Sequence, residues 1–195
     1  GVHAEGQSAH VDVPDGKLSI HAWANAINAH LPETIRVMGV REASPHFHAR
    51  FSAIGKTYRY TIWNGSAMPP LLRDRAWQVP GNIDRTALRT GADLFTGTHD
   101  FAAFSARRGP EPEPTVRAID AIDIVINGSE IELHFHGAGF LYKMVRILSA
   151  AIIRHASGRV DLKTLASMLQ DRGPAFSHTA PAHGLCLVGV RYPSS

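Results

Sequence analysis

Two stretches of the sequence combine aromatic and charged residues in spacings that could carry chemistry. In residues 56–63 (KTYRYTIW), the alternation of a strand puts Tyr58 and Tyr60 on one face and Arg59 on the other. Paired aromatic rings on a sheet can stack on nucleobases, although strand tyrosines more often belong to a half-buried core. In residues 137–153 (GAGFLYKMVRILSAAII), Arg146 needs an anionic partner if it is buried and none if it faces solvent. The pattern leaves both readings open.

Histidines occur twice as HFH, at residues 46–48 and 134–136. On a strand, the two imidazoles of each pair would share a face and could supply two zinc ligands. Neither pair has a nearby cysteine or an HExxH motif, so the indication of a metal site is weak. His99 and Asp100, in GTHDFAAF, could serve as an acid and base, but a turn in which the aspartate caps the next segment explains them more simply.

Composition indicates a protein of the reducing cytoplasm. The chain has 195 residues, a formal charge of +3 and one cysteine, Cys186, which cannot form an internal disulfide. It has no apolar run of transmembrane length and no secretory signal pattern. Arginine greatly outnumbers lysine, which favours phosphate and base contacts; a GC-rich genome would produce the same bias.

The elements that must position these residues alternate between helix and strand patterns, which predicts an α+β fold with a mainly antiparallel sheet under helices. Helices are predicted over residues 22–29, 82–95, 140–156 and 162–169. Strands are predicted over residues 34–40, 56–63, 119–126, 130–135 and 185–192. Asn127 and Gly128 predict a hairpin between two of these strands. The prolines of RRGPEPEP predict a flexible loop over residues 107–114.

Seven blocks of the sequence together resemble, in the same order, the tRNA pseudouridine synthase A family. They are GVHAEGQ (1–7), INAHLP (27–32), FHARFSAIGKTYRYTIWN (47–64), GTHDFAAF (97–104), TVRAI (115–119), GAGFLYKMVR (137–146) and APAHGLCLVGVRYP (180–193). The resemblance runs through essentially the whole chain. It implies that residues 1–195 are the C-terminal portion of a pseudouridine synthase catalytic domain.

The resemblance also implies an activity and its residues. Family members are cofactor-free isomerases that extrude a uridine at positions 38–40 of the tRNA anticodon arm and convert it to pseudouridine. By motif, Tyr58 corresponds to the active-site tyrosine that packs on the target base. Arg146 corresponds to the arginine that pairs with the catalytic carboxylate, which favours the buried reading of Arg146.

Several other properties follow from the same resemblance. Family members act as homodimers on tRNA and need no metal. Cationic side chains near the motifs are candidates for the RNA backbone, where phosphate contacts position the substrate without reading its sequence. These candidates are Arg50, Arg59, Arg107, Arg108, Arg117 and Lys143.

One residue that the resemblance implies is not among the 195. The family's nucleophilic aspartate belongs to a GRTD motif that precedes GVHA, and it is expected two residues before Gly1. Three hypotheses therefore follow: a synthase whose aspartate precedes this sequence, a non-catalytic tRNA-binding module, and a metal-dependent enzyme that uses the HFH pairs.

Overall fold

The computed structural model describes residues 1–13, 16, 18–107, 114–170 and 174–193. The chain divides into two compact units. The larger unit comprises Gly1–Gln7 and Ala53–Ser195, and the smaller unit comprises Ser8–Ser52. Among the described residues, no helix has both the length and the apolar composition needed to cross a bilayer.

A mainly antiparallel sheet forms the centre of the larger unit, as the sequence predicts. Its described strands are β1 His3–Ala4, β2 Gly55–Trp63, β3 Trp77–Gln78, β4 Gly97–Asp100, β5 Val116–Asn127, β6 Glu130–Gly137 and β7 Leu185–Arg191. The hydrogen-bonded order is β1–β7–β2–β6–β5–β4, with β3 beside β2. Among the described strands, the parallel pairings are those of the two-residue strands: β1 pairs with β7, and β3 pairs with β2. Strand β2, which carries the two tyrosines, therefore lies between β6 and β7.

The hairpin between β5 and β6 forms at the predicted Asn-Gly turn. Asn127 pairs with Glu130 across the turn, and Gly128 has a φ of 60°. A positive φ costs glycine little because it has no Cβ, and this is the conformation that tight hairpin turns require. The turn fixes the register of β5 against β6, in which Ile122 pairs with Phe135, and on its other side Phe135 pairs with Tyr58 of β2.

The described residues form four α-helices, which lie at or near the predicted positions. They are α1 Ile20–His30 in the smaller unit, and α2 Arg85–Phe95, α3 Met144–Ala156 and α4 Leu162–Gln170 in the larger unit. Aspartates cap two of them. Asp84 Oδ1 accepts hydrogen bonds from two backbone N–H groups at the start of α2, and Asp161 accepts one from Thr164 N at 2.7 Å at the start of α4.

The prediction that α3 begins at residue 140 is wrong, because a left-handed residue interrupts the helical pattern. Lys143 has a φ of 60° and occupies the N-cap, so α3 begins at Met144. Residues 140–142 therefore belong to a connection between β6 and α3. The predicted end is confirmed: after Ala156 the chain turns through Gly158, whose φ is 68°.

The core of the larger unit lies between one face of the sheet and the helices α2 and α3, which pack on each other. Tyr60 from β2, Leu133 and Phe135 from β6, Phe95 from α2 and Leu148 from α3 are each 0% exposed. This arrangement confirms the α+β fold class and makes the β2 face that carries Tyr58 and Tyr60 the inner face.

The smaller unit does not contain the strand predicted over residues 34–40. Instead, the Asn28 side chain accepts a hydrogen bond from Val37 N at 2.8 Å and donates one to Val37 O at 2.9 Å. A side chain that satisfies both backbone groups takes the place of a neighbouring strand. Residues 46–48 are not a strand either, so the first HFH pair does not share a sheet face.

Candidate active site

Tyr58 lies in the middle of β2 and is half-buried on the inner face of the sheet. Its ring meets that of Phe140 edge to face, with centroids 5.4 Å apart and planes at 89°. Burial raises the pKa of the Tyr58 phenol, so the hydroxyl stays protonated at neutral pH. Within the described residues the structure gives this hydroxyl no hydrogen-bond partner. Tyr58 therefore offers an aromatic ring and a neutral donor.

Close backbone packing brings Phe140 to Tyr58. At Gly137, the last residue of β6, a Cβ would lie 2.7 Å from Ala118 O and 3.3 Å from Phe140 Cζ. Real Cβ atoms do not approach a carbonyl oxygen that closely, so any larger residue would push the following segment away. The glycine at the start of the GAGF stretch thus allows the end of β6 to lie close to β5 and leaves room for the Phe140 ring.

An irregularity in the strand pairing lies beside Tyr58. Thr57 pairs with Gly189 of β7, whereas Tyr58 pairs with Leu187, so the register shifts by one residue between them. Bulges of this kind increase the local twist and re-aim side chains, and they are common next to active sites. Val188 is the residue of β7 left without a partner, so the bulge lies on the strand that pairs with Tyr58.

Arg146 lies in the first turn of α3 and is half-buried. Its Nε donates a 2.7 Å hydrogen bond to Ala180 O, and Ala180 N donates back to Arg146 O at 3.2 Å. No ion pair of the described residues includes Arg146. Within the described residues, hydrogen bonding of the Arg146 side chain to protein is through Nε.

Tyr60 is fully buried, and its hydroxyl donates to Pro181 O at 2.8 Å. Burial raises the pKa of the phenol strongly, and the positive charge of Arg146 opposes part of this rise. Tyr60 and Arg146 are therefore near neighbours that bond consecutive carbonyl groups. No residue type in the sequence identifies the carbonyl groups of Ala180 and Pro181 as partners of Arg146 and Tyr60, because these two residues act through backbone oxygens.

Arg59 points to the outer face of the sheet, away from Tyr58. It forms ion pairs with Glu5 at 2.6 Å and with Glu132 at 3.4 Å. The three side chains line a cavity of about 190 Å³, together with His3 and the buried thiol of Cys186. As a phosphate ligand, Arg59 would have to exchange or share these carboxylate partners.

Arg50 and Arg107 are both exposed. Arg50 belongs to the smaller unit, where its guanidinium carbon lies 5.4 Å from the centroid of the Phe51 ring. Arg107 ends a described segment. Arg108 and most of the predicted loop over residues 107–114 lie outside the described residues.

Arg117 and Lys143 are in the larger unit. The Arg117 side chain donates to Pro114 O at 2.7 Å and to Val116 O at 2.8 Å, so its guanidinium folds back on its own segment. Lys143 is exposed, and its Nζ lies 5.4 Å from the centroid of the Tyr142 ring. The left-handed conformation of Lys143 places this cation at the start of the helix that carries Arg146.

The second HFH pair lies on the outer face of β6. His134 Nε2 lies 2.8 Å from Glu132 Oε2, and His136 Nε2 lies 3.1 Å from Asp123 Oδ2. The His136 Nδ1 lies 3.1 Å from the Thr57 hydroxyl. In the described part of the chain, no three histidine, cysteine, aspartate or glutamate residues are grouped as metal ligands would be.

His99 and Asp100 do not face each other as an acid–base pair. Asp100 Oδ1 accepts a hydrogen bond from Ala102 N at 3.0 Å, and His99 Nε2 lies 3.0 Å from Thr96 O. The predicted capping role of Asp100 is confirmed, and each side chain stabilises its own turn.

Known proteins resemble this chain over nearly all of its length. A family model described as tRNA pseudouridine synthase matches residues 92–193. A tRNA pseudouridine synthase A of Akkermansia muciniphila is 40% identical over 204 residues, which cover 99% of this chain and 76% of the relative. The protein of the same name from Geobacter sulfurreducens is 39% identical over 194 residues, which cover 98% of this chain and 78% of the relative. The chain thus belongs to the tRNA pseudouridine synthase family, a family of isomerases.

Proposed function

We propose that this chain acts in the isomerisation of uridine to pseudouridine at positions 38–40 of the tRNA anticodon stem-loop. In this reaction the N1–C1′ glycosidic bond breaks, the base turns, and a C5–C1′ bond forms. The C5 proton is lost and N1 gains a proton, so the product is an isomer of the substrate. The reaction consumes no oxidant or co-substrate.

The observation that supports the proposal is a half-buried Tyr58 on the inner face of β2 together with Arg146 of α3, which lies near Tyr60 of the same strand. Tyr58 presents a half-buried ring and a neutral hydroxyl beside Phe140. A flipped base loses its stacking in the RNA, and an aromatic wall restores part of that energy. Arg146, held through its Nε, keeps two donors for a carboxylate.

Each proposed residue has a distinct task. Tyr58 stacks on the extruded uracil, and its hydroxyl donates to the base or ribose while they rearrange. Arg146 pairs with the nucleophilic carboxylate; the adjacent positive charge favours the ionised carboxylate, whereas desolvation opposes it. The backbone of the tRNA is held by the proposed cationic contacts Arg50, Arg59, Arg107, Arg108, Arg117 and Lys143.

The nucleophile in this proposal is the aspartate of GRTD, a motif that the 195 residues do not contain. We therefore test two preparations, the 195 residues alone and the same residues preceded by a segment that carries GRTD before GVHA. The substrate is tRNA with tritium at uridine C5, because isomerisation releases that hydrogen to water. Release by the second preparation alone supports the proposal. Tritium release by the preparation without GRTD would assign the nucleophile to an acid of this chain and overturn the proposal.

The target position is tested with tRNA transcripts that keep uridine at only one of positions 38, 39 and 40. A transcript with cytidine at all three is the matched control. Tritium release from the single-uridine transcripts and none from the control supports the assignment. Equal release from the control would place the target elsewhere in the tRNA.

The proposal extends to assembly and location. We expect a homodimer, with residues 1–195 contributing to one catalytic domain in each subunit, and light scattering of the eluting protein measures its mass. A tRNA substrate and a single free cysteine support a cytoplasmic location.

The alternative function is tRNA binding without catalysis. In that case the 195 residues bind tRNA in a filter or fluorescence assay, while neither preparation releases tritium. The two assays together separate the synthase from the binding module.

A further inference from the structure

Two side chains from different elements bond consecutive carbonyl groups of one short segment. Arg146 Nε donates to Ala180 O at 2.7 Å, and Tyr60 Oη donates to Pro181 O at 2.8 Å. Ala180 N also donates to Arg146 O at 3.2 Å. The segment is therefore tied to α3 at both the backbone and the side chain, and to β2 through a buried phenol.

We propose that Tyr60 is a positioning residue for the isomerisation and that, with residues 180–184, it forms a clamp that sets the orientation of the Arg146 guanidinium. This inference rests on the proposed role of Arg146 in pairing with the carboxylate. Tyr60 is fully buried, and its hydroxyl is bonded to Pro181 O, so Tyr60 acts on the reaction through the segment.

The clamp determines which edge of the guanidinium can meet an anion. A carboxylate can bind an arginine side-on, through Nε and one terminal nitrogen, or end-on, through both terminal nitrogens. Because Nε donates to Ala180 O, the side-on mode is already occupied. The geometry therefore selects the end-on mode, with two parallel hydrogen bonds from Nη1 and Nη2.

The packing around Tyr60 leaves the clamp little freedom. A Cβ on Gly184 would lie 2.8 Å from Tyr60 Cζ, so the backbone of the segment touches the ring. The edge of the Tyr60 ring also meets Trp77, at a centroid distance of 6.3 Å. Tyr60, Gly184 and the two carbonyl groups thus move together, and a change at any one of them reaches Arg146.

A direct test observes Arg146 itself. The Nε–H group of an arginine gives its own ¹⁵N–¹H resonance, and a hydrogen bond slows its exchange with water. The Arg146 resonance is assigned by its loss in Arg146→Lys. In Tyr60→Phe, which keeps the ring and removes only the hydroxyl, we expect this exchange to accelerate about tenfold.

A second variant reaches the clamp from the opposite side. Gly184→Ala must displace the Tyr60 ring, and we expect the same acceleration at Arg146. Gly189→Ala on β7 is its matched control, because no atom lies within 4 Å of the added Cβ. Tyr192→Phe is the control for loss of a tyrosine hydroxyl.

The kinetic test measures tritium release with the preparation that carries GRTD. Tyr60→Phe is expected to lower kcat about tenfold and leave KM for tRNA unchanged, because the buried hydroxyl does not face the RNA. Unchanged Nε–H exchange in both Tyr60→Phe and Gly184→Ala would overturn the clamp, whatever the rates. Faster exchange without any isomerisation by the wild type would instead overturn the proposed function and leave the clamp standing.

Discussion

The ring of Phe140 meets the ring of Tyr58 edge to face, with centroids 5.4 Å apart and planes at 89°. The two residues come from the β6–α3 connection and from β2, and the absence of a Cβ at Gly137 leaves room for the Phe140 ring. The contact fixes one edge of the Tyr58 ring and leaves the hydroxyl without a partner among the described residues. In the proposed function, the ring that stacks on the base is therefore already supported by Phe140 before the base binds.

Two substitutions distinguish the contribution of the Tyr58 hydroxyl from that of its ring. We predict that Tyr58→Phe lowers kcat about 10²-fold, as the removal of one preorganised donor does in other enzymes, and leaves tRNA affinity nearly unchanged. Tyr58→Leu should also weaken tRNA binding, because stacking on the base is lost. Single-turnover tritium release and a binding titration measure the two effects. A wild-type rate for Tyr58→Phe would remove the hydroxyl from the mechanism.

The ring of Phe140 should act through Tyr58. We predict that Phe140→Leu, which keeps an apolar side chain, lowers the free energy of unfolding by about 1 kcal/mol and reduces kcat. Urea denaturation measures the first effect and tritium release the second. In the double variant with Tyr58→Phe, the two losses in rate should not add, since Phe140 positions the hydroxyl that is already absent. Full additivity would contradict this coupling.

The guanidinium of Arg146 should not be replaceable by an ammonium. We predict that Arg146→Ala and Arg146→Lys both lower kcat by at least about tenfold, because lysine cannot donate to Ala180 O and also present two parallel hydrogen bonds to a carboxylate. Arg154→Lys, near the far end of the same helix, is the matched control. Restoration of the rate by Arg146→Lys would show that charge alone suffices.

Phosphate contacts can be counted from the salt dependence of tRNA affinity. We predict that Lys143→Ala reduces the slope of log affinity against log salt by about 0.7–0.9, the amount that corresponds to one phosphate. Arg107→Ala should do the same. Lys163→Ala on α4 is the control, since this exposed lysine is not among the proposed contacts. If neither Lys143→Ala nor Arg107→Ala changes the slope relative to the control, the RNA binds on another surface.

The buried phenol of Tyr60 predicts a loss of stability at alkaline pH. Its pKa is raised by burial, so between about pH 10 and the pKa of the folded state the unfolded chain loses this proton while the folded chain keeps it. The free energy of unfolding should therefore fall as the pH rises above about 10, by up to about 1.4 kcal/mol per pH unit for this group.

Tyr60→Phe isolates this contribution, because the titration of the other groups is common to both proteins. Above about pH 10, urea denaturation should show a shallower decline for the variant. Equal declines for the two proteins would mean that the Tyr60 hydroxyl ionises as readily in the folded chain as in the unfolded one.

Local patterns predicted much of the fold. The Asn-Gly turn and the alternation in β2 each act over a few residues, and each is confirmed. The predicted start of α3 is wrong because the left-handed conformation of Lys143 cannot be read from its type. The strand predicted over residues 34–40 is wrong because the side chain of Asn28 bonds both backbone groups of Val37.

The candidate site also combines residues that the sequence predicts with residues that it does not. Tyr58 and Arg146 stand out in the sequence as an aromatic residue on a strand and a charge in an apolar run. The role of Ala180 and Pro181 does not, because their contribution is two backbone oxygens, one of them 34 residues from Arg146. The bulge between Thr57 and Tyr58 also depends on the pairing of β2 with β7, which no local pattern encodes.

The buried Cys186 on β7 is a native probe of the motions that expose this strand to solvent. Burial raises the pKa of the thiol, and alkylating reagents react with the thiolate. Since the chain has one cysteine, the rate of covalent labelling in native buffer records only those excursions that uncover β7. The strand that pairs with Tyr58 can therefore be timed, with and without tRNA, by mass spectrometry and without an introduced probe.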